Sequence, residues 1–226
     1  MTVFNIPEEN IFPKPELAEE DGLLGIGGDL SPERLINAYA NGIFPWYSDD
    51  QPILWWSPNP RLVLFPKDFK RNKSLRKTVE KGIFEVGFDN NFEQVIRNCS
   101  KIKRNDQDST WITEDMINAY INLHELGFAH SVETYFNNEL VGGLYGISIG
   151  KAFFGESMFH KKTDASKVAL WHLIDKLLEW NFDFIDAQQE TDHLKSLGAI
   201  VIKRENFLNL LEIAIGKDGK IQKWNY

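Results

Sequence analysis

Three strand-like runs joined by two short turns occupy the middle of this chain and restrict what it can become. Residues 129–136 and 139–149 are separated by Asn137-Asn138, a pair suited to the positive φ of a tight hairpin. Leu144, Tyr145, Ile147 and Ile149 thread between glycines, Gly150-Lys151 reads as a second turn, and residues 152–159 form the returning strand. Side chains alternate along an extended backbone, so Phe154, Glu156 and Met158 are expected to share one side. Thr163 or Asp164 can then cap a helix with the apolar stripe Val168, Leu170, Trp171, Ile174, Leu177 and Leu178. The pattern predicts an antiparallel meander backed by a helix. Within it, Glu156 stands among aromatic, glycine and methionine neighbours, a setting that suits chemistry as readily as a solvated place on an amphipathic hairpin.

The flanking segments add helices and short strands. Ser31-Pro32 starts a helix with Leu35, Ile36, Ala38 and Tyr39 on its buried face, ended by Gly42. Trp46, Trp55 and Trp56 then fall among four prolines, where no long regular element can form and a rigid aromatic wall can. At least one of Trp55 and Trp56 is expected to be packing. Residues 61–66 (RLVLFP) read as a strand and mark a boundary between a small N-terminal α/β domain (1–60) and a larger domain (61–226). Residues 91–99 are helical, 101–109 charged and turn-like, and Thr113 caps a helix with Tyr120 and His124 on its inward face. His124 and His130 are read as hydrogen-bonded structural residues. Phe182 and Phe184 alternate as a strand, and continuing that alternation puts Asp186 and Gln188 on the same side. A short helix follows at 193–197. The fold class is α+β.

Composition bounds the setting. With 226 residues and 42% hydrophobic content, the chain can bury a substantial core. No apolar run approaches the ~20 residues needed to span a bilayer. The first residues carry acids and prolines where a secretory signal needs a basic end and an apolar stretch. A lone cysteine, Cys99, excludes an internal disulfide and a multi-cysteine metal site. These features predict a cytoplasmic protein with no membrane partner and no metal. The net charge of −8 conceals an asymmetry: residues 1–60 carry −8, residues 61–104 carry +7 and the remainder −7. Lys70, Arg71, Lys73, Arg76, Lys77 and Lys81 fall within twelve residues, the footprint expected for nucleic-acid phosphate, although a solvated helix face gives the same pattern.

The blocks GGDLSPERL, NGIFPWY, PILWWSPNPR, TWIT, LHELGFAHSVE, LVGGLYGI, FFGESMF and ASK occur in this order. Together they resemble the leucyl/phenylalanyl-tRNA–protein transferases, from about Gly22 to about Arg204. The resemblance implies an acyl-CoA N-acyltransferase-like larger domain, a mostly antiparallel sheet flanked by helices, consistent with the order meander, helix, further strand. HKKTDASK precedes the helix where coenzyme-A enzymes carry a glycine-rich pyrophosphate turn, so the fold is expected without the cofactor.

What the resemblance implies for function is specific. Leucine or phenylalanine would pass from leucyl-tRNA or phenylalanyl-tRNA to the N-terminal amine of proteins beginning with Arg or Lys, marking them for N-end-rule degradation. The aminoacyl ester is already activated, so no cofactor, nucleotide hydrolysis or covalent nucleophile is required. Asp186 and Gln188 would lie at the centre, Gln188 meeting the attacking amine with Asp186 polarising it or taking the proton itself. Glu156 would hold or orient the acceptor amine, with proton transfer through the tRNA's own hydroxyl as an alternative. Trp46 and Trp111 would stack at the terminal adenosine. The donor side chain needs a dry pocket, for which Leu144, Met158, Leu170, Leu177 and Ile185 are candidates, Leu170 and Leu177 being equally suited to plain core. Two other classes fit parts of the sequence: a coenzyme-A-dependent N-acetyltransferase, and a non-catalytic module that binds basic protein N-termini.

Overall fold

The computed structural model describes residues 3–102 and 111–224. Its first part places one helix among four short strands: β1 (Phe4–Ile6), β2 (Leu23–Gly27), α1 (Pro32–Ala40), β3 (Phe44–Pro45) and β4 (Leu54–Trp56), in the sheet order β1-β2-β4-β3. Pro32 at the first helical position starts α1, and the Ser31 side chain makes no capping bond. Arg34, buried on α1, donates to the carbonyls of Pro7, Glu8 and Glu9 and so straps the acidic N-terminal arm to the helix.

The rest of the chain gives β5 (Arg61–Leu64), α2 (Lys73–Glu80), β6 (Glu85–Phe88), α3 (Phe92–Ser100), α4 (Glu114–Glu125), β7 (Ala129–Phe136), β8 (Glu139–Ile149) and β9 (Ala152–His160). After these come α5 (Ala165–Glu179), β10 (Phe184–Asp186), α6 (Asp192–Ser196), β11 (Ile200–Ile202) and α7 (Arg204–Ile215). The large sheet has the order β11-β5-β10-β9-β8-β7-β6. All its neighbours are antiparallel except β9 and β10, which run parallel and are joined across α5. An antiparallel meander feeding a helix and one parallel strand is the N-acyltransferase-like order expected from the sequence. The charged stretch expected at 101–109 lies, from residue 103 onward, outside the described residues.

Both hairpin turns form as predicted, with Asn137 at φ 52°, Asn138 at φ 63° and Gly150 at φ 57°. The strand β9 does not alternate as predicted. Tyr145 pairs with Ser157 and Gly146 with Gly155, which leaves Glu156 as an inserted residue in a β-bulge. Phe154 therefore faces the core shared with Tyr39 and Ile147, whereas Met158 lies on the opposite face beside Leu144, and Glu156 meets Tyr120 of the Phe154 cluster. The expected cap of α5 is also absent: Asp164 sits at φ 67° and directs its carboxylate to Lys167 and Thr78 instead.

Two apolar clusters flank the large sheet. One packs α1, α3, α4 and α7 against one face, and the other packs α5 against the opposite face. Gly146 is fixed by the bulge: a Cβ there would lie 2.2 Å from the Phe154 carbonyl and 2.6 Å from the Phe153 ring. Gly146→Ala should lower stability by about 1–3 kcal/mol, the usual cost of forcing an atom into a packed interior. Urea unfolding checks this; a midpoint equal to that of the parent would show that the bulge relaxes freely.

Candidate active site

The strand β10 is apolar up to its last residue, Asp186, which has no exposed surface. A buried carboxylate of this kind requires strong donors. Arg61, the first residue of β5 and equally buried, supplies them: Nε donates to Oδ1 at 2.9 Å and Nη2 to Oδ2 at 2.7 Å. The remaining Arg61 amine donates to the Gly42 carbonyl at 3.1 Å, and the guanidinium lies over the rings of Phe44 and Phe207. Beyond Asp186 the predicted alternation stops. Gln188 is in the left-handed region at φ 55°, and its backbone N–H donates to Asp186 Oδ1 at 3.0 Å. A non-glycine residue pays strain in that region, and the bond to a fixed carboxylate offsets it.

That turn brings Gln188 to Glu156. Gln188 Nε2 donates to Glu156 Oε1 at 3.1 Å, and the Tyr120 hydroxyl donates to Oε2 at 3.1 Å. Tyr39 continues the chain through a short hydroxyl contact with Tyr120. Burial pushes the Glu156 carboxyl up to about 7, assisted by the nearby Asp186 charge and opposed by the tyrosine hydrogen bonds and Arg61. Both tyrosines are held neutral, their pKa raised well above the usual phenol value by burial and by the neighbouring carboxylate. The cluster is thus a neutral hydroxyl relay ending on a carboxyl that titrates near neutrality.

Glu156 and Gln188 line one cavity of about 500 Å³. Four of the five side chains predicted for a donor pocket also line it: Leu144, Met158, Leu170 and Ile185. The fifth, Leu177, is enclosed in the α5 core away from the cavity, and Leu173, one helical turn earlier, lines it. Trp46 and Trp111, both partly buried, line the same space. Trp55 is fully buried and donates to the Gly27 carbonyl, so it is the packing indole. Three neighbours of the centre, Arg61, Tyr39 and Tyr120, carry no site signal in the sequence beyond their places on a strand and two helices. An arginine opening an apolar strand was the available signal for the first. His193 and Thr191 also line the cavity and carried no sequence signal.

The basic residues lie apart from this centre. Leu75 is the buried residue of α2, which leaves Lys73, Arg76 and Lys77 exposed, with Lys70 and Lys81 exposed on either side. Arg71 differs: it pairs with Asp175 at 2.5 Å and lies 4.4 Å from the Trp171 ring centre, so it already has a partner within the fold. The two histidines are held internally, as expected: His124 at the Ala129 carbonyl and stacked on Phe92, His130 at Asp89. No group of three or more metal-ligating side chains occurs among the described residues, and no helix among them is long and apolar enough to cross a membrane.

The family model described as leucyl/phenylalanyl-tRNA protein transferase matches residues 63–212, and the model of that family's N-terminal domain matches residues 28–59. A leucyl/phenylalanyl-tRNA–protein transferase of Syntrophobacter fumaroxidans is 57% identical over 93% of this chain and 90% of its own length. One from Thermodesulfovibrio yellowstonii is 56% identical over 100% and 92%. Among solved structures, a conserved Bacteroides thetaiotaomicron protein of unknown function aligns at 11% identity and a TM-score of 0.46, over 61% of this chain and 53% of its own. That likeness is too slight to argue from.

The Arg61–Asp186 pair yields a stability prediction. Arg61→Met should strand a buried carboxylate and cost about 3–5 kcal/mol, whereas the double variant Arg61→Met/Asp186→Leu should regain much of that stability. Denaturant unfolding of the parent, both singles and the double checks it. Simple additivity of the two losses would contradict the pairing.

Proposed function

The chain belongs to the leucyl/phenylalanyl-tRNA protein transferase family, and from that premise we propose how its cavity works and which acceptors it serves. It is an aminoacyltransferase. In our reading, leucine or phenylalanine passes from the 3′ end of leucyl-tRNA or phenylalanyl-tRNA to the N-terminal amine of proteins beginning with Arg or Lys. The product is then a substrate for N-end-rule degradation, and the reaction takes place in the cytoplasm. One observation carries the proposal: a single apolar cavity has a Gln188–Glu156 hydrogen-bonded pair and two tryptophans in its walls.

Leu144, Met158, Leu170 and Ile185 receive the donor side chain, and Met158 adapts to either leucine or phenylalanine because its thioether is unbranched. Trp46 and Trp111 stack on the terminal adenine, and Lys73, Arg76 and Lys77 on α2 meet tRNA phosphates. Gln188 has committed its amide N–H to Glu156, which leaves its carbonyl oxygen to accept from the incoming amine. Attack forms the new C–N bond and breaks the ester C–O bond, and the amine must shed a proton. Asp186 is poorly placed to receive it, because it is fully buried, does not line the cavity and is ion-paired with the Arg61 guanidinium. Glu156 is better placed: it faces the cavity, and a carboxyl poised near 7 can take the amine proton and return it to the departing 3′ oxygen. Asp186 then acts by holding Gln188 in its strained turn.

No cofactor enters, because the ester supplies the driving force. Against a coenzyme-A reading stands Asp164, a carboxylate immediately before α5, where a pyrophosphate would need donors. The excess of acidic residues over 105–226 suits a cationic acceptor. Incubation with radiolabelled leucyl-tRNA and peptides starting with Arg, Lys, Ala or Glu tests the proposal. Label should enter the Arg and Lys peptides and the other two should stay near background. Equal labelling of all four would overturn the acceptor class, and labelling of none would overturn the transfer itself.

A further inference from the structure

The segment after α7 lies beyond the region matched by the family model, yet it is built into the fold. It crosses the β8–β9 turn where Gly219 meets Gly150; a Cβ on Gly219 would lie 3.0 Å from the Gly150 backbone. Lys217 grips both oxygens of Asp183 at 2.8 and 2.6 Å, and Lys223 pairs with Glu125 at 3.1 Å. Further along it carries Trp224, only 2% exposed. Its backbone N–H donates to Asp89 Oδ2 at 2.6 Å, the same oxygen that His130 engages, and its indole stacks on the His130 ring at 3.9 Å. Trp180 packs edge-on against it, with ring centres 5.0 Å apart.

The other side of this indole is what matters for the cavity. Trp224 lies 5.8 Å, centre to centre, from Phe153, and Phe153 lines the cavity that Leu144, Met158 and Ile185 also line. Trp224 itself does not reach the cavity. It stands behind the wall, in the same apolar cluster as these lining residues, and removes the space into which Phe153 could withdraw. Phe153 also packs onto Gly146, where a Cβ would lie 2.6 Å from its ring, so the ring is held by both the glycine and the indole. Interiors are packed densely enough that a ring held by such neighbours defines a cavity boundary.

We propose that Trp224 is a positioning residue for donor selection: through Phe153 it fixes the rear wall of the aminoacyl pocket and so limits the size of the side chain accepted. This rests on the donor-pocket reading above. Removing the indole opens space behind Phe153 and lets the pocket deepen, which harms the smaller donor more than the larger.

The test is the ratio of kcat/KM for phenylalanyl-tRNA over leucyl-tRNA, with unfolding curves beside it. Trp224→Ala should raise this ratio about tenfold, the scale set by one methylene in an apolar pocket. Trp224→Phe should raise it by less and keeps the protein folded if the alanine variant is lost. Phe153→Leu, which alters the lining directly, should move the ratio on its own. An unchanged ratio in Phe153→Leu means that the pocket reading has failed. A shifted ratio there, with parental ratios in folded Trp224→Ala or Trp224→Phe, overturns the role of Trp224 alone. Proportional loss with both donors, accompanied by a lowered melting temperature, assigns Trp224 to stability and also overturns the proposal.

Discussion

The buried ion pair between Arg61 and Asp186 is the constraint on which the rest of the centre depends. It joins the opening of β5 to the end of β10, reaches the Gly42 carbonyl beyond α1, and is covered by Phe44 and Phe207. Two charges away from solvent are expensive, and they persist because every guanidinium nitrogen and both carboxylate oxygens have a partner. One of those partners is the Gln188 N–H. The pair therefore does more than close the sheet: it holds a glutamine in a backbone conformation that most residues avoid, and that conformation directs the amide at Glu156.

Glu156 reaches the same point by a second departure from regular structure. In an unbroken strand it would lie in the row of Phe154 and Met158, on whichever face those residues took. The bulge gives the two neighbours opposite faces and frees the glutamate to meet Tyr120 and Gln188 at the cavity wall. Burial then sets its chemistry. With a pKa of about 7, the carboxyl is suited both to accept and to return a proton near neutral pH. The strained turn and the bulge are separate in sequence and converge on one hydrogen bond.

These two departures also mark the limit of what local sequence pattern encodes. The meander, both hairpin turns, the helix after β9 and the exposed basic face of α2 follow from periodicity, turn chemistry and charge, each a local property. Four of the five side chains expected in a donor pocket line the cavity, and Leu173 lines it where Leu177 was expected, because apolar lining and apolar core share one pattern. Local pattern could not foresee that Glu156 is an inserted residue, since a bulge is a relation between two strands. Gly155 beside it and Gly146 opposite were the available hints. Nor could it foresee Asp186 bound by Arg61, 125 residues away in sequence. Period-two alternation does not extend through Gln188 because the hydrogen bond from its N–H to the Asp186 carboxylate decides that backbone. Departures of this kind gather at sites where geometry serves chemistry more than packing.

The central claim, that Glu156 accepts the proton while Asp186 holds Gln188, meets its most direct test in the pH dependence of kcat/KM for an Arg-leading peptide. The acceptor amine must itself lose a proton with a pKa of about 8, so it alone gives a slope of about one below that value in a logarithmic plot. A glutamate titrating near 7 adds a second proton, and the wild-type slope should steepen toward about two below neutrality. Glu156→Gln should be slower by about 10²-fold or more and keep a slope of about one throughout. A wild-type slope that stays near one, coinciding in shape with that of Glu156→Gln, would contradict the assignment and leave proton transfer to the substrate's own hydroxyl.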